Sequence, residues 1–341
     1  MKKNQEKHYF VGLDIGGTTI KSVMIDEMGK RIGKMVEVPS YVLQGYKTTF
    51  IQLERAIQLL TTGAGITHSA LRGVGIDVPS LNCNGVIWGQ ANLAEDWLGT
   101  NIQNLFSERV GLPVYMTNDG NASALGEYKV RRKRSGGLLL VAPGTGLGGG
   151  LVLPDGTIYE GTNGLALEVG HITVPFRETD GELPFCSCGL RGCLEAWVSL
   201  VALQRRLKIE LANQRWINHP LNQDHSSIEK KAYRLREFAE KNDRLAIEIF
   251  KQQGFILGYG IADLVRLFDP GLVVIGGGLS EMTFRTRYMG WVRKGFKERV
   301  WPVYDRNPFD IKKVTTHIEW ARSGDAAGAL GMAYVARERF Q

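Results

Sequence analysis

Apolar residues along this chain come in short runs broken by glycine, and the runs predict strands before they predict helices. Residues 9–15, YFVGLDI, read as a strand, and GGTTIKSVMID returns as a second one through a glycine turn. MGKRIGKMVEVPS continues as a third strand. The pattern then changes period. Phe50, Leu53, Ile57 and Leu60 within residues 46–62 share one face of a helix. LRGVGIDVP is a further strand, stopped by Pro79, and LPVYMTND is another, with Asn118 and Asp119 at its C-terminal end. GNASALGEYKV then starts a helix.

The theme restarts near residue 136. GGLLLVAPGTGLGGGLVLPDGTIYEG again runs strand, glycine- and threonine-rich turn, strand, so one ββ-turn unit is expected in each of two halves. Residues 194–268 read as mainly helical, with a polar insertion around 213–230. GLVVIGGGLS at 271–280 is a buried strand entering a glycine turn, and SGDAAGALGMAYVARERF closes the chain as a helix. Strands mixed with helices in two similar halves predict an α/β fold of two lobes with a ligand cleft between them.

Composition narrows the class without changing the architecture. The 341 residues are 43% hydrophobic and 23% charged, an ordinary globular balance whose length suits two domains. The N-terminal apolar run is too short for a signal peptide, and no run of eighteen apolar residues occurs, so neither export nor a membrane span is expected. Four cysteines do not make a disulfide framework, which points to a reducing compartment, the cytoplasm. Part of the formal charge of +7 sits in KVRRKR at 129–134. That run reads as a solvated helix end and loop, with attraction of an anionic substrate as the alternative. No recognition-helix pattern accompanies it, so no nucleic-acid partner is expected.

Three glycine-rich turns, 14–19, 143–150 and 276–278, each follow an apolar strand. Glycine lets backbone N–H groups approach a ligand closely, and consecutive amides make an anion nest. The hydroxyls of Thr18, Thr19 and Thr145 add donors. One such cluster is as easily a plain tight turn; three of them, two built alike, favour a nucleotide. None is a P-loop, and none is a dinucleotide fingerprint in a βαβ setting. Asp14 precedes the first turn. A carboxylate among phosphate-binding amides is unfavourable without a cation, so Asp14 reads as holding Mg²⁺ through water, the alternative being an Asp that caps its own turn.

The densest chemistry is CSCGLRGCLE at 186–195. It spaces three thiols as CxC-x4-C in a chain with one other cysteine, Cys83. A structural zinc site needs four ligands, and His171, fifteen residues upstream, is the only histidine between His68 and His219. His171, Cys186, Cys188 and Cys193 are therefore expected to hold Zn²⁺; reduced core cysteines or a redox pair are the alternatives. Glu168 and Glu195 flank those ligands, so closing the metal site would aim both carboxylates. Two aimed carboxylates suit a polyhydroxyl ligand, whose hydroxyls they accept; as isolated residues they would be surface charges.

These stretches resemble the ROK family of bacterial sugar kinases and sugar-responsive repressors. The resemblance runs from GLDIGGTTIK to SGDAAGALGMA and rests on LEVGHITV and CSCGLRGCLE. It implies the two-lobed actin/hexokinase-like ATPase fold, with a smaller lobe of 1–118 plus 324–341 and a larger one of 119–323 carrying the zinc loop. It implies that Asp119 in TNDGNASALGE is the catalytic base, and that Asn92, Asn118, Glu168, His171 and Glu195 meet sugar hydroxyls. It places ATP phosphates on Asp14, Gly16, Gly17, Thr18, Thr19, Lys21, Gly144, Thr145 and Gly146, and adenosine at Gly276, Gly277 and Gly278. ATP, Mg²⁺ and Zn²⁺ are the implied cofactors, and a homodimer the implied assembly.

The expected reaction is ATP-dependent phosphorylation of a hexose, D-glucose at O6. A kinase for N-acetylmannosamine, N-acetylglucosamine, mannose or allose would share every motif used. A sugar-responsive repressor needs a DNA-binding module, for which about eight residues before the first strand leave no room. Three positions depart from the usual pattern: Ser80 in VPS, Pro143 in APGTG and Gly120 after Asp119. None removes a catalytic group, but Ser80 borders the expected sugar pocket. The region 205–235 is longer than the family pattern predicts.

Overall fold

The computed structural model describes residues 7–89, 93–131, 136–305 and 315–341. Strands β1 (Tyr9–Ile15), β2 (Thr19–Asp26) and β3 (Arg31–Pro39) form an antiparallel meander. Helix α1 (Tyr46–Ala64) leads to β4 (Leu71–Val78), which lies parallel to β1. A short hairpin, β5 (Asn82–Cys83) with β6 (Val86–Ile87), precedes α2 (Ile102–Val110) and β7 (Val114–Asn118), which lies parallel to β4. The sheet order is β3-β2-β1-β4-β7.

β1 is apolar almost throughout because both of its faces are covered. Val11 and Leu13 pack in one core with Phe50, Leu53, Ile57 and Leu60 of α1, the helical face read from the sequence. Phe10 points the other way, into a cluster with Ala329, Ala333 and Ala336 of the C-terminal helix α11 (Ala327–Phe340). That helix lies so close that a Cβ on Gly12 would stand 1.8 Å from Ala329 O. Small residues on α11 and glycine on β1 together allow the contact. Helix α3 (Asp119–Lys129) leaves the end of β7 and packs on α11 as well.

A second sheet, in the order β11-β10-β8-β9, combines β8 (Leu138–Pro143), β9 (Leu147–Val152), β10 (Leu272–Ile275) and β11 (His317–Trp320). Residues 194–268 are mainly helical, as the pattern predicts: α4 (Glu195–Val198), α5 (Leu200–Leu211), α6 (Pro220–Gln223), α7 (Ile228–Glu240) and α8 (Arg244–Phe268). Helices α9 (Arg285–Arg299) and α10 (Pro302–Asp305) follow β10. The polar insertion is tied down inside this set. Trp216 is buried, and His219 caps α6 by accepting from Leu221 N at 3.1 Å while its Nε2 lies 3.2 Å from Asp243.

The chain groups into two compact units. The first comprises Met1–Leu140, Gly150–Leu167 and Arg322–Gln341, and the second Val141–Gly149 and Glu168–Ala321.

The basic run departs from the sequence reading of a solvated helix end. Lys129 pairs with Glu338, and Arg131, 4% exposed, pairs with the buried Glu127. Glu127 Oε1 also accepts the N–H groups of Arg322, at 2.9 Å, and Ser323, at 2.7 Å. The end of α3 packs against the segment entering α11, and the backbone donors there need an acid, which in turn needs a buried cation. The remaining residues of the run, 132–134, lie outside the described residues. Among the described residues, no helix is long and apolar enough to cross a membrane.

Candidate active site

The first unit holds both Asp119 and the turn of residues 16–18. Asp119 is the first residue of α3, exposed where its neighbours Gly120, Asn121 and Ala122 are buried. Its Oδ1 accepts from Gly120 N at 2.9 Å. Asn118 caps the helix by accepting from Asn121 N at 2.8 Å. The helix N-terminus favours a charged carboxylate, which is the proton-accepting form.

The β1–β2 turn is closed by Gly16 N donating to Thr19 O at 2.8 Å, and leaves Gly17 and Thr18 exposed. Lys21 pairs with Asp325 at 3.3 Å. Asp14 is half-buried behind the turn. Burial raises its pKa, against the lowering effects of a hydrogen bond to Asp77 and the Lys21 charge.

In the second unit the β8–β9 turn leaves Gly144 and Thr145 exposed, with Gly144 N donating to Gly146 O at 2.9 Å. The third glycine turn lies directly against it. Gly276 N donates to Val141 O at 3.0 Å, and a Cβ on Gly277 would stand 2.2 Å from Pro143 O. Two turns separated by more than a hundred residues thus share one surface, while the first lies in the other unit. Gly146 has a different neighbour: a Cβ there would stand 2.6 Å from Glu195 Oε2.

Around Glu195 the metal and carboxylate residues converge. The Nδ1 of His171 and the three Sγ atoms of Cys186, Cys188 and Cys193 all lie within 4.8 Å of one another. Cys186 Sγ is 3.7 Å from His171 Nδ1, and Cys188 Sγ is 3.7 Å from Cys193 Sγ. A tetrahedral ion with Zn–S near 2.3 Å and Zn–N near 2.0 Å implies edges of about 3.5–3.8 Å, so the donor set fits such an ion. The loop reaches this shape through a tight turn in which Gly189 N donates to Cys186 O and Gly189 takes a φ of 90°.

Burial raises the Cys186 thiol, and burial with hydrogen bonds from the other two thiols pushes Cys193 up to about 12. The Leu190 N–H lowers Cys188. Three crowded thiolates need a cation; without one, two of them keep their protons.

Glu195 is held from two sides. Its Oε2 accepts from Leu147 N at 2.8 Å, and its Oε1 accepts from Ser187 Oγ at 2.8 Å, with Cys186 Sγ at 3.5 Å. His171 turns Nδ1 to the thiols and Nε2 toward Glu168 Oε2, at 3.9 Å. Burial raises the Glu168 pKa; His171 opposes the shift and the Glu195 charge adds to it. The second unit therefore presents in one cluster two carboxylates, which accept from hydroxyl groups, and an imidazole whose Nε2–H donates when Nδ1 ligates a metal.

Sequence reasoning misses Ser187 and Leu147. Ser187 stands between two cysteines, where its neighbours draw the eye, and a backbone N–H leaves no trace in a sequence. Asn92 lies outside the described residues. Ser80 donates to Gly89 O at 2.5 Å, and Cys83 is half-buried with the Asn84 amide 3.6 Å from its sulfur.

With the fold and this cluster in hand, comparison with known proteins defines the class. The ROK family matches residues 10–339. A glucokinase of Halalkalibacterium halodurans is 32% identical over 80% of this chain and 81% of its own. A xylose repressor of Caldicellulosiruptor bescii is 27% identical over 97% of this chain and 78% of its own. The crystal structure of a ROK family glucokinase from Streptomyces griseus, in complex with glucose and AMPPNP, superposes with a TM-score of 0.74 at 27% identity, covering 97% of this chain and 99% of that one. The chain belongs to the ROK family. It is a sugar kinase with the actin/hexokinase-like ATPase fold.

Proposed function

We propose that this chain transfers the γ-phosphoryl group of ATP to O6 of D-glucose. The observation that carries this reading is the cluster in which Glu195, fixed by Leu147 N and Ser187 Oγ, stands with Glu168 and His171 beside a four-donor metal set. Such an array accepts several hydroxyls of one polyol and offers nothing to an apolar ligand. Asp119, charged at the head of α3, accepts the proton of the attacking hydroxyl, and Asn118 and Asn92 complete the sugar contacts. General-base action of this kind contributes about 10²–10⁴-fold.

Gly16, Gly17, Thr18, Thr19, Lys21, Gly144, Thr145 and Gly146 serve the phosphates, and Gly276, Gly277 and Gly278 the adenosine. Asp14 holds Mg²⁺, which when bound neutralises phosphate charge. His171, Cys186, Cys188 and Cys193 hold a structural Zn²⁺ that keeps Glu168 and Glu195 aimed. The same reading takes the working enzyme as a cytoplasmic homodimer. The glucose choice follows the glucokinase relative and the glucose complex.

A coupled assay over a panel of free sugars with ATP and Mg²⁺ tests the reading. Glucose should give the highest kcat/KM. A higher value for N-acetylmannosamine, N-acetylglucosamine, mannose or allose would replace the sugar and keep the kinase. Asp119→Asn should lower kcat at least about 10²-fold with sugar still bound; near-normal turnover would remove Asp119 from the mechanism. The xylose repressor relative carries a second reading, a sugar-binding regulator. It predicts sugar binding with no phosphorylation of any sugar.

A further inference from the structure

Asp77 has no role in the reaction just described. It sits in β4, in the run GIDVPS, between the buried apolar residues Ile76 and Val78. It is fully buried itself, and its carboxyl meets the carboxyl of Asp14, with no N–H or hydroxyl donor on either of its oxygens. An apolar residue would fill such a position without penalty, so an acid there must be neutralised, by a proton, toward which burial and the charges of Asp14 and Asp119 push it, or by a compensating cation.

The surroundings do not supply it. The parallel register of β1 and β4 sets Asp77 directly opposite Asp14. A Cβ on Gly328, in the first turn of α11, would stand 2.8 Å from Asp14 Oδ2 and 2.9 Å from Asp77 Oδ2, so both carboxyl groups reach the same spot. Asp119 and Asp325 add further negative charge to this neighbourhood. Among the described residues, Lys21 is a cation that acts on Asp14, and it is already engaged with Asp325 at 3.3 Å. Asp14 is only half-buried, so an ion has access from its side.

We propose that Asp14 and Asp77 together seat a divalent cation of the Mg²⁺ and Mn²⁺ class without any nucleotide, Asp14 facing the ion and Asp77 standing behind as a positioning carboxylate. Hard oxygen donors and a surplus of carboxylates select this class of ion. The inference rests on the reading that Asp14 serves Mg²⁺, and adds that this chain builds part of the ion's seat from a buried strand residue.

The test is Mn²⁺ titration of the full chain, zinc in place and other divalent ions removed by a chelating resin, with no ATP and no sugar. Loss of the free-Mn²⁺ electron paramagnetic resonance signal reads the binding. The wild type should take up one Mn²⁺ per chain, displaced by Mg²⁺. Asp77→Asn should raise the Kd at least about 10-fold, the usual effect of removing a group that supports a ligand. Asp14→Asn should raise it at least as far. Asp77→Ser, also uncharged, provides a second variant, and circular dichroism establishes that each is folded.

The melting temperature gives an independent readout. At the same Mn²⁺ concentration the rise should be larger for the wild type than for Asp77→Asn. Equal Mn²⁺ affinity in the wild type and the folded Asp77 variants would overturn the proposal, and so would a wild type that binds no Mn²⁺ without nucleotide; Asp77 would then be a carboxyl group kept neutral by a proton. If the cation behaves as expected but no sugar is phosphorylated, the kinase reading fails and the cation site stands.

Discussion

Two acids, one in each unit, are treated in opposite ways. Glu195 has a donor on each oxygen, Leu147 N on one and Ser187 Oγ on the other, both at 2.8 Å. Asp77 has no N–H or hydroxyl donor and meets the Asp14 carboxyl instead, although it is the more deeply buried of the two. A carboxylate satisfied by its own protein is free to be aimed, and its remaining lone pairs serve a neutral ligand's hydroxyls. A buried carboxyl left without donors is neutralised instead by a proton or by a charge that arrives from outside. Under the proposed function and the proposed cation seat, the contrast corresponds to a neutral polyol at one place and a cation at the other.

The largest blow to the satisfied side should come from the metal loop. Cys188→Ser removes one of four donors, so zinc content by metal analysis should fall from one per chain, and stability with it. Sugar phosphorylation should drop on the order of 10²-fold or more, the usual consequence of displacing reacting groups by about 1 Å. Full activity in a zinc-free protein would break the link between the metal and the carboxylates.

Glu195→Gln comes next. It keeps the shape and removes the charge, and should raise the sugar KM about 10–100-fold, the scale of a hydrogen bond to a charged group, while the ATP KM stays within about 2-fold. A comparable rise for ATP would mean that Glu195 serves the nucleotide.

Gly146→Val should have a smaller effect. The sequence alone assigns this glycine to the phosphates, but its Cβ would press on Glu195 Oε2. Overpacking of this kind costs roughly 1–3 kcal/mol; a cost in the lower half of that range, about 1–2 kcal/mol, would raise the sugar KM about 5–30-fold. Gly144→Val, where a Cβ meets nothing within 4 Å, is the matched control and should leave the sugar KM unchanged. Smallest of all, Ser187→Ala withdraws one donor from Glu195 and should raise the sugar KM about 5-fold, the equivalent of about 1 kcal/mol. No change in steady-state kinetics would mean that Leu147 N alone positions the acid.

The cluster of four metal-donor residues is legible in the sequence because its chemistry is concentrated: three thiols in eight residues leave few interpretations, and one histidine lies within reach. The strands and the face of α1 are legible because β1 and α1 carry the apolar periods that their burial requires. The partners of Glu195 are not. Leu147 lies 48 residues away and acts through its backbone. Arg131 misleads for a related reason, since its partners too are set by packing. In a run of cations it resembles solvated charge, and only the packing of α3 shows that the buried Glu127, with the N–H groups of Arg322 and Ser323 on it, requires a cation there.

By itself the sequence determined what is local: the strand and helix periods, the glycine turns, the thiol spacing and the presence of a carboxylate at the head of α3. These follow from steric and solvation rules acting over a few residues. Tertiary structure alone decided what depends on distant segments meeting. It set Gly276 and Gly277 against the β8–β9 turn, placed Leu147 N on Glu195, and brought Asp77 opposite Asp14 through the register of two parallel strands. Parallel strands are joined by long connections, so no short-range pattern reveals which residues will stand side by side.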